Sequence, residues 1–241
     1  MPRFARVVMA DLVYHVTHRG NRRGDIFFQD SDRRDYLDDL GRCAREESLE
    51  IWAYCLMTNH VHLIVRPRRA DSLARAIGRA HQLHTIRINR AHAWRGHLWA
   101  NRFYSTPLDE THRWVAAKYI ELNPVRAGLA RRAERWPWSS AGAHAGLRAD
   151  SLLSADRPFG ADRPHPITGC PLSWADWLAM DSDDESIARL RHATSTGRPC
   201  GSPAFVASLE TLLNRTLAPL PPGPKPGRSS NVEPQLEMFD E

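Results

Sequence analysis

The sequence has no hydrophobic run that approaches the roughly 18–20 residues required to cross a membrane. Its first residues, MPRFARVVMADLVYHV, are too polar for a secretory signal peptide. We therefore expect a cytoplasmic protein that has no membrane partner.

Cysteine and lysine are both scarce. The four cysteines, Cys43, Cys55, Cys170 and Cys200, lie far apart and form no C-x-x-C pair, which argues against a zinc ribbon or a disulfide scaffold. Lysine occurs only twice among the 33 basic residues. The arginine excess is explained by codon bias in a GC-rich genome, by selection for bidentate phosphate contacts, or by both.

Acidic residues are under-represented in the first part of the chain. Residues 1–148 contain 25 Lys and Arg against 15 Asp and Glu, a balance of +10, whereas residues 149–241 contain 8 against 13, a balance of −5. The first part is therefore expected to bind a polyanion. We predict a domain over 1–148, an extension over 149–220 and a disordered Pro/Gly/Ser-rich tail over 221–241.

The pattern of apolar residues predicts an α+β fold. The expected strands are 11–19, 49–57, 60–66 and 98–107, and the expected helices are 31–48, 71–89 and 109–123. Pro124 is expected to end the last helix, because the residue before a proline disfavours the helical region. The order β-α-β-β-α-β-α suits a ferredoxin-like or RRM-like antiparallel sheet with helices on one face. Further helices are expected over 173–180, 186–194 and 205–217.

The segment MTNHVHLIV, residues 57–65, contains two histidines on one expected strand. Side chains alternate between the two faces of a strand, so His60 and His62 share a face and lie some 6–7 Å apart. Two imidazoles at this spacing can bind one metal ion. The pattern alone also fits two histidines on a solvated strand face.

The segment AKYIELNPVRAG, residues 117–128, places Tyr119 and Asn123 four residues apart on one helix face. A tyrosine hydroxyl can attack phosphorus when a metal ion polarises the phosphate, and an amide oxygen is a suitable hard ligand. Taken alone, the pair also fits a core tyrosine beside an asparagine that ends a helix.

Many arginines are candidates for DNA contacts. They are Arg19, Arg22, Arg23, Arg66, Arg68, Arg69, Arg75, Arg79, Arg87, Arg102 and Arg126. Those on the second helix equally fit a solvated helix face. His81 and His84, on the same helix, are expected to face solvent or DNA, whereas His15 in the first strand is a candidate for lining the site.

Five segments together resemble the REP-associated tyrosine transposases, single-tyrosine transposases of the insertion-sequence 200/605 type within the HUH nucleases. The segments are MTNHVHLIV, GHLWANRFYS (96–105), AKYIELNPVRAG, WPWSSAGAHAG (136–146) and TGRPCGSPAFVASLETLLNR (196–215). The resemblance is close over about residues 10–146 and loose beyond. One departure is Ala141, where an aromatic residue often follows the two serines.

The resemblance implies a role for each matching residue. His60 and His62 match the metal-binding histidines, Tyr119 the nucleophile and Asn123 the third metal ligand. Family members use Mg²⁺ or Mn²⁺ and cut one DNA strand, which leaves a 5′-phosphotyrosine and a free 3′-OH. The implied partner is single-stranded DNA or a DNA hairpin of the REP palindrome type, in the bacterial nucleoid. The sequence leaves open whether the protein is a monomer or a homodimer.

Other functions fit the sequence less well. A non-cutting DNA-binding regulator on the same fold would not require all four candidate site residues. An RRM-like RNA binder lacks the K/R-G-F/Y-G/A-F signature of that family. A two-histidine phosphodiesterase requires two H-x-T/S repeats, and the sequence has a single H-x-H.

Overall fold

A four-stranded antiparallel sheet organises the part of the chain that the computed structural model describes, residues 5–160 and 173–218. The spatial order of the strands is β2-β3-β1-β4. Their bounds are β1 Val13–Arg19, β2 Leu49–Leu56, β3 His60–Pro67 and β4 Tyr104–Leu108. The α+β class and the antiparallel sheet predicted from the sequence are confirmed.

Eight α-helices are described along the same ranges. They are α1 Asp30–Glu46, α2 Ser72–Ala91, α3 Glu110–Glu121, α4 Asn123–Arg126, α5 Ala141–His144, α6 Trp174–Ala179, α7 Asp184–Thr196 and α8 Pro203–Leu213. Side-chain oxygens cap several amino termini: Asp109 accepts from the backbone N–H of His112 at α3, and Ser202 caps α8 in the same way. In the described ranges no helix is long and apolar enough to span a membrane.

The helices cover both faces of the sheet. α1 and α2 pack on the face that carries Tyr14, Val16 and Leu63. The sequence predicted helices on one face only, but Trp52 and Ile64 make the opposite face apolar as well. α3, α6 and α7 bury that second face, where they contribute Trp114, Trp174, Trp177 and Leu190.

Two element boundaries differ from the sequence prediction. β4 begins at Tyr104 rather than near Leu98, because Asn101 adopts a left-handed conformation (φ 61°) that interrupts an extended chain. Pro124 does not stop the helical path at Asn123. The helix breaks at Leu122, and α4 begins at Asn123. Pro124 lies in the first turn of α4, where the backbone N–H that proline lacks would have no helical partner.

The predicted C-terminal helices are present in the described residues. α8 ends earlier than expected, at Leu213, because Asn214 is a left-handed C-cap (φ 46°). α6 and α7 share one hydrophobic core with α3 and the sheet, so the described residues on either side of position 148 pack together. The boundary at 148 stays a prediction, and the tail 221–241 lies outside the described residues.

Candidate active site

Three elements bring the candidate residues together on the second face of the sheet. Antiparallel pairing of β1 with β3 sets Thr17 opposite His62 and Arg19 opposite His60. α3 crosses this face and carries Tyr119, which is half-buried. The two histidines, Tyr119 and Asn123 line one cavity of about 770 Å³. The structure thus brings together the four residues identified as the site from the sequence.

The two motif histidines are neutral imidazoles held by their Nδ1 atoms. Their ring centroids are 5.0 Å apart. Nδ1 of His60 lies 2.6 Å from Oδ1 of Asn59, whose amide nitrogen donates to the carbonyl of Arg23. Nδ1 of His62 lies 2.9 Å from Nε2 of His15. Burial lowers the pKa of His60 to about 4 and lowers that of His62 also, so both side chains are uncharged at neutral pH.

Tyr119 lies between this histidine cluster and Arg126. Its ring centroid is 5.9 Å from that of His62 and 6.3 Å from that of His15, both edge-on. The guanidinium carbon of Arg126 lies 4.5 Å from the Tyr119 centroid. Arg126 also donates to Oδ1 of Asn123 at 3.0 Å. The amide nitrogen of Asn123 is buried and has no hydrogen-bond partner among the described residues.

Helix α7 also borders the cavity, although it lies outside the motifs that define the site in sequence. Arg191, Thr194 and Ser195 are among its lining residues. The Arg191 guanidinium carbon is 5.4 Å from the Tyr119 centroid, and Thr194 Oγ1 is 3.0 Å from Nδ1 of His15. Sequence reasoning missed Arg191 and Thr194, because no spacing rule connects α7 with residues 60–123.

The cavity is strongly basic. Arg19, Arg23, Arg126 and Arg191 line it, and among the described residues no Asp or Glu does. Four guanidinium groups around one cavity repel one another unless an anion lies between them. The arrangement suits a ligand with several negative charges, such as a polynucleotide.

The remaining candidate arginines are not among the residues that line the cavity. Arg66, Arg68 and Arg69 are at the far end of β3, about 20 Å from His60 at 3.3 Å per residue. Arg66 and Arg68 form ion pairs with Asp11 and Glu50. Further pairs are Arg69 with Glu47, Arg75 with Glu47, and Arg87 with Asp39. Arg22, Arg79 and Arg102 are also exposed. For all of these, a DNA contact stays a prediction.

The donor set fits a divalent cation. Within 5–160 and 173–218, no group of three or more His, Cys, Asp or Glu is placed to hold a metal, so the available donors are two imidazoles and one amide. With Nδ1 of each histidine engaged, Nε2 is the nitrogen left to coordinate. Oδ1 of Asn123 retains a second lone pair beside its bond from Arg126.

The prediction for two other histidines was wrong. His81 and His84 are buried rather than exposed to solvent or DNA, with 4% and 0% of their surface accessible. His81 is hydrogen-bonded to His18 and to the hydroxyl of Tyr36. His84 contacts the carbonyl of Ile26 at 2.7 Å. The prediction rested on the arginines that lie near them in the sequence of α2. α1 packs on this side of α2 and buries both histidines.

Comparison with known proteins gives a family match and matches to several solved structures. The family model "Transposase IS200 like" matches residues 8–123. A REP-associated tyrosine transposase bound to a REP hairpin shares the fold, with a TM-score of 0.50 and 18% identity over 65% of this chain and 96% of that chain. A transposase-like protein from Deinococcus radiodurans matches with a TM-score of 0.35 and 22% identity, over 50% of this chain and 96% of its own. No curated protein sequence matches the chain.

Proposed function

Residues 8–123 belong to the IS200-like transposase family, and from this premise we propose that the protein cuts and rejoins single-stranded DNA through Tyr119. The intermediate is a 5′-phosphotyrosine. His60, His62 and Asn123 hold a divalent cation, Mg²⁺ or Mn²⁺. The substrate is a DNA hairpin with a single-stranded segment at its foot.

One observation carries the proposal: the same cavity is lined by Tyr119, by the neutral His60 and His62 and by four arginines, and by no carboxylate of the described residues. The arginines provide the charge that attracts a phosphate backbone. The tyrosine supplies an oxygen nucleophile, and the histidines supply ligands for a cation. A protein that only bound DNA would require the arginines but not this combination.

The reaction is a transfer of one phosphodiester bond. The hydroxyl oxygen of Tyr119 forms a bond to phosphorus, and the bond from phosphorus to the 3′ oxygen breaks. The phenol loses its proton, and the departing 3′ oxygen gains one. Because the phosphotyrosine keeps the phosphodiester's free energy, a 3′-OH can reverse the step without ATP.

Each residue around the cavity has a distinct part in this step. Arg126 and Arg191 lie against the Tyr119 ring and limit its orientation, while Arg19 and Arg23 are placed to hold phosphates of the strand. Lys118 is not the base, because its Nζ donates to the carbonyl of Met180 in a neighbouring cavity. The bound cation supplies stabilisation of the negative charge that develops on the phosphate oxygens.

The hairpin is supported by two observations. One is the structural match, a transposase that is bound to a REP hairpin. The other is the arginine-lined cavity, which can bind phosphates of any sequence. Because phosphate contacts carry no sequence information, another feature of the DNA has to select the target. Selection then depends on hairpin shape and on unpaired bases, which stack on aromatic side chains.

The nucleophile is tested with a matched pair of tyrosines. Tyr104 also lines the cavity, so Tyr119→Phe and Tyr104→Phe remove the same oxygen from the same cavity. We expect wild type and Tyr104→Phe to form a covalent protein–DNA adduct on a denaturing gel, with Mg²⁺ or Mn²⁺ present. Tyr119→Phe should form none while keeping its circular dichroism spectrum. An adduct in Tyr119→Phe that disappears in Tyr104→Phe would move the nucleophile to Tyr104.

The substrate is tested by competition at fixed salt. Three DNAs are compared: a hairpin with a single-stranded foot from the source genome, the same bases scrambled, and a blunt duplex. We expect the footed hairpin to bind at least tenfold more tightly, about 1.4 kcal/mol. Equal binding of all three would reject the hairpin as target. Tight hairpin binding with no adduct under any metal condition would indicate a non-cutting regulator instead.

A further inference from the structure

His15 is buried in the centre of β1, and both of its ring nitrogens are engaged. It is 1% exposed, and its neighbours across the sheet are Ile64 and Thr106. Nε2 lies 2.9 Å from Nδ1 of His62, and the two rings are stacked at 5.1 Å with an interplanar angle of 11°. Nδ1 lies 3.0 Å from Oγ1 of Thr194 on α7.

The hydrogen bonds of His15 end at the Thr194 hydroxyl, which can act toward His15 only as an acceptor. Oγ1 of Thr194 donates to the carbonyl of Leu190, one turn earlier in α7, at 2.7 Å. A hydroxyl has one proton, so with that proton committed Thr194 accepts from His15. His15 therefore carries its proton on Nδ1.

The same proton count continues to His62. His15 is 1% exposed and no carboxylate of the described residues lines this cavity, so its ring has no partner for a positive charge and is neutral. With its single proton on Nδ1, its Nε2 has a lone pair and accepts. The donor to it is then Nδ1–H of His62. A neutral imidazole with its proton on Nδ1 has its lone pair on Nε2, which is the nitrogen that remains for a metal ion.

We propose that α7 completes the active site: Thr194 and His15 are positioning residues that fix the tautomer and ring orientation of His62 as a metal ligand. The inference rests on the metal site of the proposed function. It gives the segment beyond residue 148 a role in the site, since Thr194 lies outside the matched residues 8–123. Outer partners of this kind typically change metal affinity by about 10–100-fold.

The test uses three threonine substitutions in one helix. Thr194→Val keeps the shape but removes the hydroxyl, Thr194→Ser restores a hydroxyl, and Thr196→Val is the matched control. Among the described residues, the Thr196 hydroxyl hydrogen-bonds only to the backbone carbonyls of His192 and Ala193. Mn²⁺ binding to the full-length, DNA-free protein is measured by titration calorimetry or electron paramagnetic resonance.

We expect Thr194→Val to weaken Mn²⁺ binding about tenfold, at the lower end of the range for outer partners. Thr194→Ser and Thr196→Val should stay within about twofold of wild type, because both keep the hydrogen bond to His15. Unchanged Mn²⁺ affinity in Thr194→Val, or an equal loss in Thr196→Val, would overturn the proposal.

A second readout requires neither metal nor DNA. In metal-free protein labelled with ¹⁵N-histidine, the His62 signals, assigned with a His62→Gln variant, report which nitrogen carries the proton. We expect wild-type His62 to be protonated on Nδ1 and Thr194→Val to contain a mixture of tautomers. Protonation of His62 on Nε2 in the wild type would overturn the proposal that Thr194 and His15 fix its tautomer. Failure of Mn²⁺ to bind the wild type would instead contradict the proposed function. The tautomer measurement would still test whether Thr194 and His15 position His62.

Discussion

The guanidinium of Arg126 contacts both ends of the proposed catalytic pair, since it lies 4.5 Å from the centroid of the Tyr119 ring and 3.0 Å from Oδ1 of Asn123. It also donates to the backbone carbonyl of Tyr119. One planar, forked group therefore sets the orientation of the nucleophile's ring and of the amide that is proposed to bind the metal. If the amide were rotated, its nitrogen would face the arginine, donor against donor.

This geometry predicts that Arg126 cannot be replaced by lysine without loss of activity. Lysine keeps the charge but lacks the planar guanidinium that lies over the Tyr119 ring while its Nη2 donates to Asn123 and to the Tyr119 carbonyl. We expect the single-turnover cleavage rate to fall about tenfold in Arg126→Lys and about a hundredfold in Arg126→Gln, where each tenfold is about 1.4 kcal/mol. Arg189→Gln, which removes an exposed partner of Glu185 on α7, is the control. A full rate in Arg126→Gln would exclude this role.

Removal of His62, the proposed metal ligand, should separate cleavage from binding. We expect His62→Ala to lose detectable cleavage but to keep DNA affinity within a few fold, because the four cavity arginines remain. EDTA should stop the wild-type enzyme in the same way. Cleavage is followed on labelled oligonucleotides and binding by fluorescence anisotropy. Equal cutting with and without EDTA would argue against any metal.

Asn123 should adjust the metal site more than create it. An uncharged amide oxygen contributes one hard ligand beside two imidazoles. We expect Asn123→Ala to cleave more slowly and to require a higher Mg²⁺ or Mn²⁺ concentration for half-maximal rate. The measurement is the cleavage rate across a metal titration. An unchanged titration midpoint would mean that Asn123 only begins α4.

The salt dependence of DNA binding should identify the arginines that contact phosphate. With five or six phosphate contacts, the slope of log K against log salt should be roughly −4 to −5, at about 0.7–0.9 per contact. Arg19→Ala and Arg23→Ala should each make this slope shallower by about 0.7–0.9, the value for one phosphate contact. Arg68→Ala should leave it unchanged, because Arg68 is already paired with Asp11 and Glu50. A shallower slope in Arg68→Ala would extend the DNA surface to the far end of β3.

His112 should make stability depend on pH above neutrality. The hydrogen bond that the His112 ring donates to the Asp109 carboxylate, with a smaller contribution from Cys200, raises the pKa of His112 to about 9. A raised histidine pKa stabilises the fold fully below about 6.5, and this contribution disappears as the pH rises through about 9. We expect Tm to fall by about 2–4 °C between pH 6 and pH 9.5, which corresponds to about 1 kcal/mol after solvent screening.

The control for this prediction is His112→Gln, which cannot carry the charge. Its Tm should be lower than that of wild type at pH 6 and should change less between the two pH values. Equal pH dependence in the two proteins would place the effect on another group.

The sequence alone determined the four strands and the three long helices up to Glu121, apart from the start of β4, because apolar periodicity and turn residues act locally. It also determined that His60 and His62 share one face of β3, since this follows from the strand repeat. It predicted Tyr119 and Asn123 on one face of a single helix, whereas Asn123 begins α4 after a break at Leu122. The family motifs carried the expectation that these two pairs belong to one site.

Only the tertiary structure decided what surrounds them. Arg19, Arg23 and Arg126 line the cavity that contains His60, at the start of β3, whereas Arg66, Arg68 and Arg69 form ion pairs at or just beyond the other end of that strand. Composition does not encode this separation. The contact of His15 with Thr194 joins residues 179 positions apart. It exists because α3 and α7 bury the second apolar face of the sheet, and packing of this kind is set by the whole core rather than by local sequence.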